Sequence, residues 1–134
     1  KTGLEGKFSV YYAAAIAIIT GQAGEAQFSD AAVTDPVAIA LRDRVDTTVD
    51  KSLAQDQARV TIKLKDGRVL TRFITHAVGS VEVPMSNQQL EAKFRSLVTD
   101  ILPDDRAKHL IDLCWNVETI SDAGDIARAA AVSG

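Results

Sequence analysis

Thiols and imidazoles are scarce in this sequence of 134 residues, which contains one cysteine and two histidines. Cys114 has no second cysteine with which it could form an internal disulfide. With only His76 and His109 beside it, the chain has no set of ligands at the spacing of a metal site. The sequence therefore predicts no disulfide framework and no metal, and it indicates a protein of a reducing, cytoplasmic compartment.

Long hydrophobic runs and clusters of one charge are missing as well. The longest apolar run, residues 10–19, is about half of the roughly 20 residues that a membrane helix needs, and it lacks the pattern of a signal peptide. Fifteen basic and 18 acidic residues are interleaved, for a net charge of −3. No basic stripe is therefore present to neutralise nucleic-acid phosphates. We expect neither a membrane nor a nucleic acid as a partner.

Cofactor and catalytic motifs are also absent. Gly21, Gly24 and Gly79 form neither a G-x-G-x-x-G nor a Walker pattern. No serine or cysteine is accompanied by a recognisable base and an orienting third group. The sequence thus predicts no cofactor and no complete catalytic site. It begins without a methionine and becomes apolar by Phe8, which favours a fragment of a longer protein.

What is present is the composition of a globular domain, with 46% hydrophobic and 25% charged residues. A chain of 134 residues fits one domain, residues 1–134. Residues 8–20 are apolar almost all round, with Ser9 as an N-cap and Gly21 as a stop, and this pattern predicts a helix that is buried on most sides. Ser29 and Asp30 are expected to cap a short turn at residues 31–33.

A second helix is predicted from Asp35, which caps it and is followed by proline at the first helical position. Its inner edge should contain Val37, Leu41 and Val45. A third predicted helix begins with the capping box of Ser86 and the glutamine three residues later.

Two further helices are expected near the carboxyl end. One follows Pro103 and two acidic residues, with an inner face of Ala107, Leu110, Ile111 and Cys114. The other, residues 126–132, should be capped by Ser121 together with Asp125, although that pattern is short.

Between these helices, residues 59–75 alternate with a period of two, which is typical of strands. Asp66-Gly67 favours a two-residue type I′ hairpin turn, and that turn would pair Leu64 with Val69, Ile62 with Thr71, and Val60 with Phe73. We expect a third strand at residues 45–49 and a helix over the face of Leu70 and Ile74. The order of helices, strands and helices predicts an α+β domain with a small antiparallel sheet.

Three residues are candidates for a substrate cleft: Lys7, Ser9 and His76. The first two, with Tyr11 and Tyr12, place polar groups in an otherwise apolar helix start. There they either serve as caps and core hydroxyls or face an anionic ligand at the helix N-terminus. His76 follows the second strand and lies either at a cleft edge or simply at the surface.

The remaining reactive side chains have structural explanations. His109 is expected to be structural or to face solvent, because it lies in a helix beside apolar neighbours. Asp104 and Asp105 are explained by the dipole of the helix that they begin. Cys114 is expected to behave as a small core residue.

Five segments resemble the last domain of MmgE/PrpD proteins, the 2-methylcitrate dehydratase family. They are E-G-K-F-S-V-Y-Y-A-A-A-I-A-I-I-T-G at residues 5–21, A-Q-F-S-D at 26–30, D-P-V at 35–37, L-K-D-G-R at 64–68 and S-N-Q-Q-L-E-A-K-F-R at 86–95. All five occur in the family's order and with matching spacing, so the resemblance covers nearly the whole chain.

The resemblance implies a parent protein with a larger helical domain and a smaller α+β domain, the latter similar to chorismate mutase in topology. Family members such as 2-methylcitrate dehydratase, cis-aconitate decarboxylase and iminodisuccinate epimerase act on small polycarboxylates without a metal or organic cofactor. Their shared chemistry is proton transfer beside a carboxylate, which needs a base and groups that stabilise the developing charge. Most of those groups lie in the helical domain, so the resemblance implies that this chain alone is inactive.

The partners implied are the helical domain of the same parent chain, a small carboxylic acid and a homo-oligomer. Lys7 and Ser9 are the best matched candidates for contacting the acid's carboxylates, and His76 ranks behind them. The alternative is an independent protein-binding or dimerisation module that uses the helix at residues 8–19 and the sheet edge.

Overall fold

Residues 2–132 are described by the computed structural model, and they belong to two units. The first unit ends at Ser52 and the second begins at Leu53. Together they contain seven α-helices and one two-stranded antiparallel sheet within the described range. The α+β class is confirmed, whereas a single domain over residues 1–134 stays a prediction.

The first unit is entirely helical. Its elements are α1 (Gly3–Lys7), α2 (Val10–Thr20), a 3-10 helix (Glu25–Phe28), α3 (Asp30–Val33) and α4 (Pro36–Arg42). The second unit contains the sheet and three helices. Its elements are β1 (Ala58–Lys63), β2 (Val69–Ile74), α5 (Asn87–Val98), α6 (Asp104–Trp115) and α7 (Gly124–Ala130). No helix of residues 2–132 is both long and apolar enough to cross a bilayer.

Side-chain caps begin the helices of the first unit as the sequence predicts. The Ser9 hydroxyl accepts a hydrogen bond from the backbone N–H of Tyr12, and Gly21 ends α2 with a φ of 72°. Asp35 caps α4 by accepting from two backbone N–H groups, and Ser29 caps α3. These caps satisfy helix N–H groups that have no intrahelical partner.

Tyr12 lies at the centre of the first unit's core. It packs with Ile16, Val33 and Ala38, and its ring meets Phe28 edge-on with centroids 5.6 Å apart. Edge-to-face contact is a favourable geometry for two aromatic rings. The core therefore joins α2, α3, α4 and the 3-10 helix in one cluster.

The burial predicted for α2 is wrong on one side of the helix. Val10 and Ile18 of α2 are exposed, and so is Phe8 just before the helix, at 86%, while Tyr12, Ala15 and Ile16 are buried. The short helices of the first unit cover only one face of α2, although the sequence is apolar around the whole circumference. An apolar composition thus identified the helix but not the face that packs.

The predicted inner edge of α4 also needs correction. Val37 is 64% exposed, and Ala38 is the buried residue in its place. Pro36 occupies the first helical position, so Val37 is the second residue of the helix and points away from the core. A residue as small as Ala38 lets α4 lie close against α2.

The predicted hairpin register is wrong by one residue. The structure pairs Lys63 with Val69 and Ile62 with Leu70. Three residues, 65–67, form the loop, and only Gly67 has a positive φ, of 87°. A type I′ turn needs positive φ at both central residues, whereas a three-residue loop needs it only at the last.

Neither the predicted third strand nor the predicted cover over the sheet is found in the described residues. Residues 45–49 form no strand, and the Thr47 side chain donates a hydrogen bond to the Tyr11 hydroxyl. Leu70 is 51% exposed, and only Ile74 on the same predicted face is partly buried. A hairpin of two strands is marginally stable without further packing.

The core of the second unit lies between α6 and its neighbours. Leu102, Ala107 and Leu110 are buried there, and the partly buried side chains around them are Phe94, Val98, Ile126 and Ala129. Ser86 and Gln89 form the predicted capping box of α5.

Two predictions at the carboxyl end are wrong. Cys114 is exposed, although it shares a helix face with Leu110, because it lies in the last turn of α6 and lines an open groove there. α7 begins at Gly124 and ends at Ala130, not at residues 126–132, and Ser121 does not cap it. The side chain of Asp122 accepts from the Gly124 N–H instead.

Candidate functional site

An open cleft of about 470 Å³ lies in the first unit, where the start of α2 meets the end of α4. The polar side chains on its wall are those of Thr2, Glu5, Ser9, Tyr11, Tyr12, Arg42 and Asp43. Its volume falls in the range of roughly 300–1,000 Å³ that is usual for small-molecule sites. The cleft is therefore large enough for a compact polar metabolite.

Two hydroxyl groups at the start of α2 line this cleft. The Ser9 oxygen accepts from the Tyr12 N–H at 3.2 Å, and the Tyr11 oxygen accepts from the Thr47 hydroxyl at 3.0 Å. In both bonds the cleft hydroxyl is the acceptor, so its own O–H remains a donor. Both residues can therefore donate a hydrogen bond to an acceptor in the cleft.

Tyr12 lines the same cleft but has a different role. Its hydroxyl donates to the Gln27 carbonyl at 2.7 Å. Burial, and secondarily the negative charge of Asp35, raises the pKa of Tyr12 above its usual value. The phenol therefore stays protonated at neutral pH and is occupied in holding the 3-10 helix.

Arg42 supplies the cleft's cationic group. Its Nε and Nη2 atoms donate to one carboxylate oxygen of Asp43, at 2.9 and 2.7 Å. The arginine side chain is only 20% exposed. This arrangement fixes the plane of the guanidinium and leaves Nη1 outside the ion pair. The sequence analysis missed Arg42, because a basic residue in the last turn of a helix is already explained by the helix dipole.

Lys7 does not line the cleft. Its ammonium pairs with Glu25 at 2.6 Å on the exposed side of α1. Of the predicted candidates, Ser9 alone is a cleft residue. The capping role foreseen for Ser9 is confirmed, and contact of Lys7 or Ser9 with a substrate stays a prediction.

His76 belongs to a separate cluster in the second unit. Its Nδ1 atom lies 2.6 Å from a carboxylate oxygen of Asp56 and 4.0 Å from one of Glu82. Asp56 precedes β1 by two residues and His76 follows β2 by two, so the pair continues the register of Ala58 and Ile74. The hydrogen bond from His76 lowers the pKa of Asp56. This pair closes the open end of the hairpin.

A second, smaller groove of about 170 Å³ lies between α5 and α6. Its wall is mainly apolar and includes Phe94, Leu110 and Cys114, and Trp115 donates from Nε1 to Glu91 at 2.9 Å. Among residues 2–132, no three or more histidine, cysteine, aspartate or glutamate side chains are grouped so that they could hold a metal ion. Of these two sites, the cleft of the first unit consequently has more polar side chains that can bind a ligand.

Comparison with protein families matches residues 1–117 to the family described as MmgE/PrpD C-terminal domain. Two curated relatives are both named cis-aconitate decarboxylase, one from Aspergillus terreus and one from its strain NIH 2624. Each is 27% identical over an alignment of 128 residues, which covers 90% of this chain and 26% of the relative. The chain thus spans about a quarter of the length of the relatives that it matches.

Proposed function

This chain belongs to the MmgE/PrpD C-terminal domain family, and we propose that it is the smaller domain of an enzyme acting on a small polycarboxylic acid. The reaction is a dehydration, decarboxylation or epimerisation that proceeds by proton abstraction without a cofactor. The similarity to two cis-aconitate decarboxylases favours a lyase acting on a substrate of that class. The parent is a cytoplasmic homo-oligomer whose helical domain completes the site, and this domain has a chorismate mutase-like topology.

The side chains that line the cleft indicate which steps this domain and the parent's helical domain each perform. Proton abstraction needs a base close to the carbon that loses the proton. Among residues 2–132, the cleft lining contains no histidine or lysine. Its carboxylates already accept hydrogen bonds within the fold, Glu5 from a backbone N–H and Asp43 from Arg42, and the Tyr12 hydroxyl donates to the Gln27 carbonyl. The hydroxyls of Ser9 and Tyr11 and the guanidinium of Arg42 are groups that bind acid oxygens. This domain therefore binds and orients the substrate, and the parent's helical domain supplies the base.

Two sequence candidates keep subsidiary roles in this proposal. Lys7 lies on α1, two residues before the cleft residue Ser9 in the chain. In this proposal its ammonium exchanges the ion pair with Glu25 for one with the substrate. His76 is held by Asp56 within the second unit, and its contact with a substrate stays a prediction.

The family match over residues 1–117 is the single observation that carries the proposal. The test compares the full-length parent with this chain in assays of cis-aconitate, 2-methylcitrate and related acids. We expect turnover of at least one acid by the parent and none by this chain. An inactive parent over the whole panel, or turnover by this chain equal to the parent's, would contradict it.

The exposed face of α2 favours a second function, an independent dimerisation module. Phe8, Val10 and Ile18 present apolar surface, and clusters of such side chains often mark interfaces. Analytical ultracentrifugation of this chain and its F8S variant tests the module. A dimer that dissociates in F8S supports it, and a concentration-independent monomer removes it.

A further inference from the structure

We propose that the cleft of the first unit is a carboxylate-binding subsite in which Arg42 is the anchor and the hydroxyls of Thr2, Ser9 and Tyr11 are auxiliary donors. The inference rests on the proposed function for the identity of the acid. It deepens that function by making Arg42 the anchor of the site, a residue that the sequence analysis did not single out.

Three hydroxyl groups on the cleft wall are used by the fold only as acceptors. Thr2 accepts from the Glu5 N–H, Ser9 from the Tyr12 N–H, and Tyr11 from Thr47. A hydroxyl has one donor hydrogen besides its acceptor lone pairs. The described residues provide no acceptor for these three O–H groups. These hydroxyls therefore give the wall three unused donors, which suit the oxygens of a carboxylate.

Arg42 is positioned in advance for such a ligand. Asp43 binds two of the five guanidinium N–H groups through one oxygen, which leaves the Nη1 donors and one Nη2 donor. Charge-assisted bonds from a planar guanidinium to a carboxylate are strong and directional. Because the side chain is mostly buried, little further ordering is needed when the ligand binds.

The charges of the cleft set the expected strength of binding. Among residues 2–132, Arg42 is the only cation on the wall, and the carboxylates of Glu5 and Asp43 lie on the wall as well. The cleft therefore does not attract anions over long distances, and directed hydrogen bonds must supply the affinity. A small carboxylate should bind this chain weakly, with a Kd in the region of about 1 mM.

NMR titration of the isotopically labelled 134-residue chain with tricarballylate, an unreactive tricarboxylate, tests the subsite directly. The matched ligand is the uncharged triamide of the same acid. We expect saturable shift changes at the amides of Ser9 and Tyr11 and at the Arg42 side chain with tricarballylate, and none with the triamide. Changes that spread over basic residues outside the cleft without saturation would overturn the inference.

Variants separate the guanidinium's geometry from its charge. R42Q should weaken binding about tenfold or more, because it removes a charged donor. R42K should restore only part of the affinity. R44Q removes the same charge from the adjacent turn, outside the cleft lining, and should leave the affinity within about twofold. Equal weakening by R42Q and R44Q, or none by R42Q, would overturn the inference.

Y11F provides a second variant that leaves the Arg42–Asp43 pair untouched. It removes the Tyr11 O–H and keeps the ring, and it should weaken tricarballylate binding about threefold or more. If R42Q does not fold, Y11F decides: a weakened affinity supports the subsite, and an unchanged affinity overturns it.

The two proposals fail in different experiments. Binding of tricarballylate to this chain needs no turnover, so its loss in R42Q is observable even if the parent is inactive. A parent that turns over an acid with a KM unchanged by R42Q would overturn the Arg42 subsite and leave the proposed function in place.

Discussion

The first unit is organised around its helix starts, whereas the second unit combines a packed helical core with a hairpin that has little cover. In the first unit, caps and close backbone contacts bring Ser9, Tyr11 and Arg42 to one cleft. In the second, Leu102, Ala107 and Leu110 form a core, but Val60, Val69 and Phe73 of the hairpin are exposed. The comparison shows that polar side chains are brought together in the first unit, where local hydrogen bonds fix the backbone.

Intrinsic probes distinguish the two units in any unfolding experiment. Both tyrosines, Tyr11 and Tyr12, are in the first unit, and the single tryptophan, Trp115, is in the second. Near-ultraviolet circular dichroism of tyrosine and fluorescence of tryptophan therefore report on different units. The predictions below use this pair of signals.

Gly3→Ala should have the largest effect, and it concerns the first unit. A β-carbon at Gly3 would lie 1.8 Å from the backbone carbonyl oxygen of Phe28. A backbone atom cannot move aside as a side chain can, so we expect a loss of about 3 kcal/mol or more in urea unfolding followed by the tyrosine signal. Gly24→Ala is the control, because its β-carbon would approach only the flexible Gln27 side chain. Equal stability of the two variants would contradict the close packing of α1.

Leu110→Ala should have the next largest effect, and it concerns the second unit. Leu110 is buried in the core of α6, so truncation removes apolar contacts and leaves a cavity. The expected loss is about 3 kcal/mol, measured through tryptophan fluorescence. Leu90→Ala truncates an exposed leucine on α5 and should cost less than about 1 kcal/mol. A larger loss of stability from Leu90→Ala than from Leu110→Ala would contradict the position of this helical core.

Tyr12→Phe should cost about 1 kcal/mol, because the Gln27 carbonyl loses its hydrogen bond in the core. Tyr11→Phe removes an exposed hydroxyl and should be nearly neutral for stability. Thermal unfolding followed by circular dichroism gives both values. The pair of variants thereby separates the structural tyrosine, Tyr12, from Tyr11, which is proposed to bind the acid. A larger loss from Tyr11→Phe would contradict this assignment.

The smallest expected effect is the acid sensitivity of the hairpin. The hydrogen bond from His76 lowers the folded-state pKa of Asp56, so the folded state binds fewer protons than the unfolded state near that pKa. The stabilisation is present above the unfolded value of about 3.9 and is lost as pH falls through the lowered folded value. Carboxyl-carbon NMR of Asp56 should give a pKa that rises toward about 3.9 in H76Q. A pKa unaffected by H76Q would remove the Asp56–His76 bond from the account.

Local chemistry explains what the sequence predicted well. Ser9, Asp35 and Ser86 each cap a helix, because the bond that a cap makes spans only two or three residues and needs no partner from elsewhere. The family resemblance could be seen for a related reason, because it depends only on the order and spacing of short segments along the chain. The hairpin was found as well, because Asp66-Gly67 marks the turn.

Errors arose where a residue's environment is set by distant parts of the chain. The register failed because two-residue and three-residue loops can both use Gly67, and the choice moves every pair by one position. The apolar sequences of α2 and around Cys114 do not reveal which neighbours exist to cover them. Arg42 was missed because its place in the cleft depends on the approach of α4 to α2.

The central proposal is that this domain binds the acid and that the parent's helical domain supplies the base that removes its proton. Incubation of this chain with cis-aconitate or 2-methylcitrate in D2O, followed by proton NMR, tests it most directly. The account predicts ligand-induced shifts at Ser9 and Tyr11 with no deuterium incorporated into the acid beyond the buffer control. Deuterium incorporation catalysed by this chain alone would contradict it.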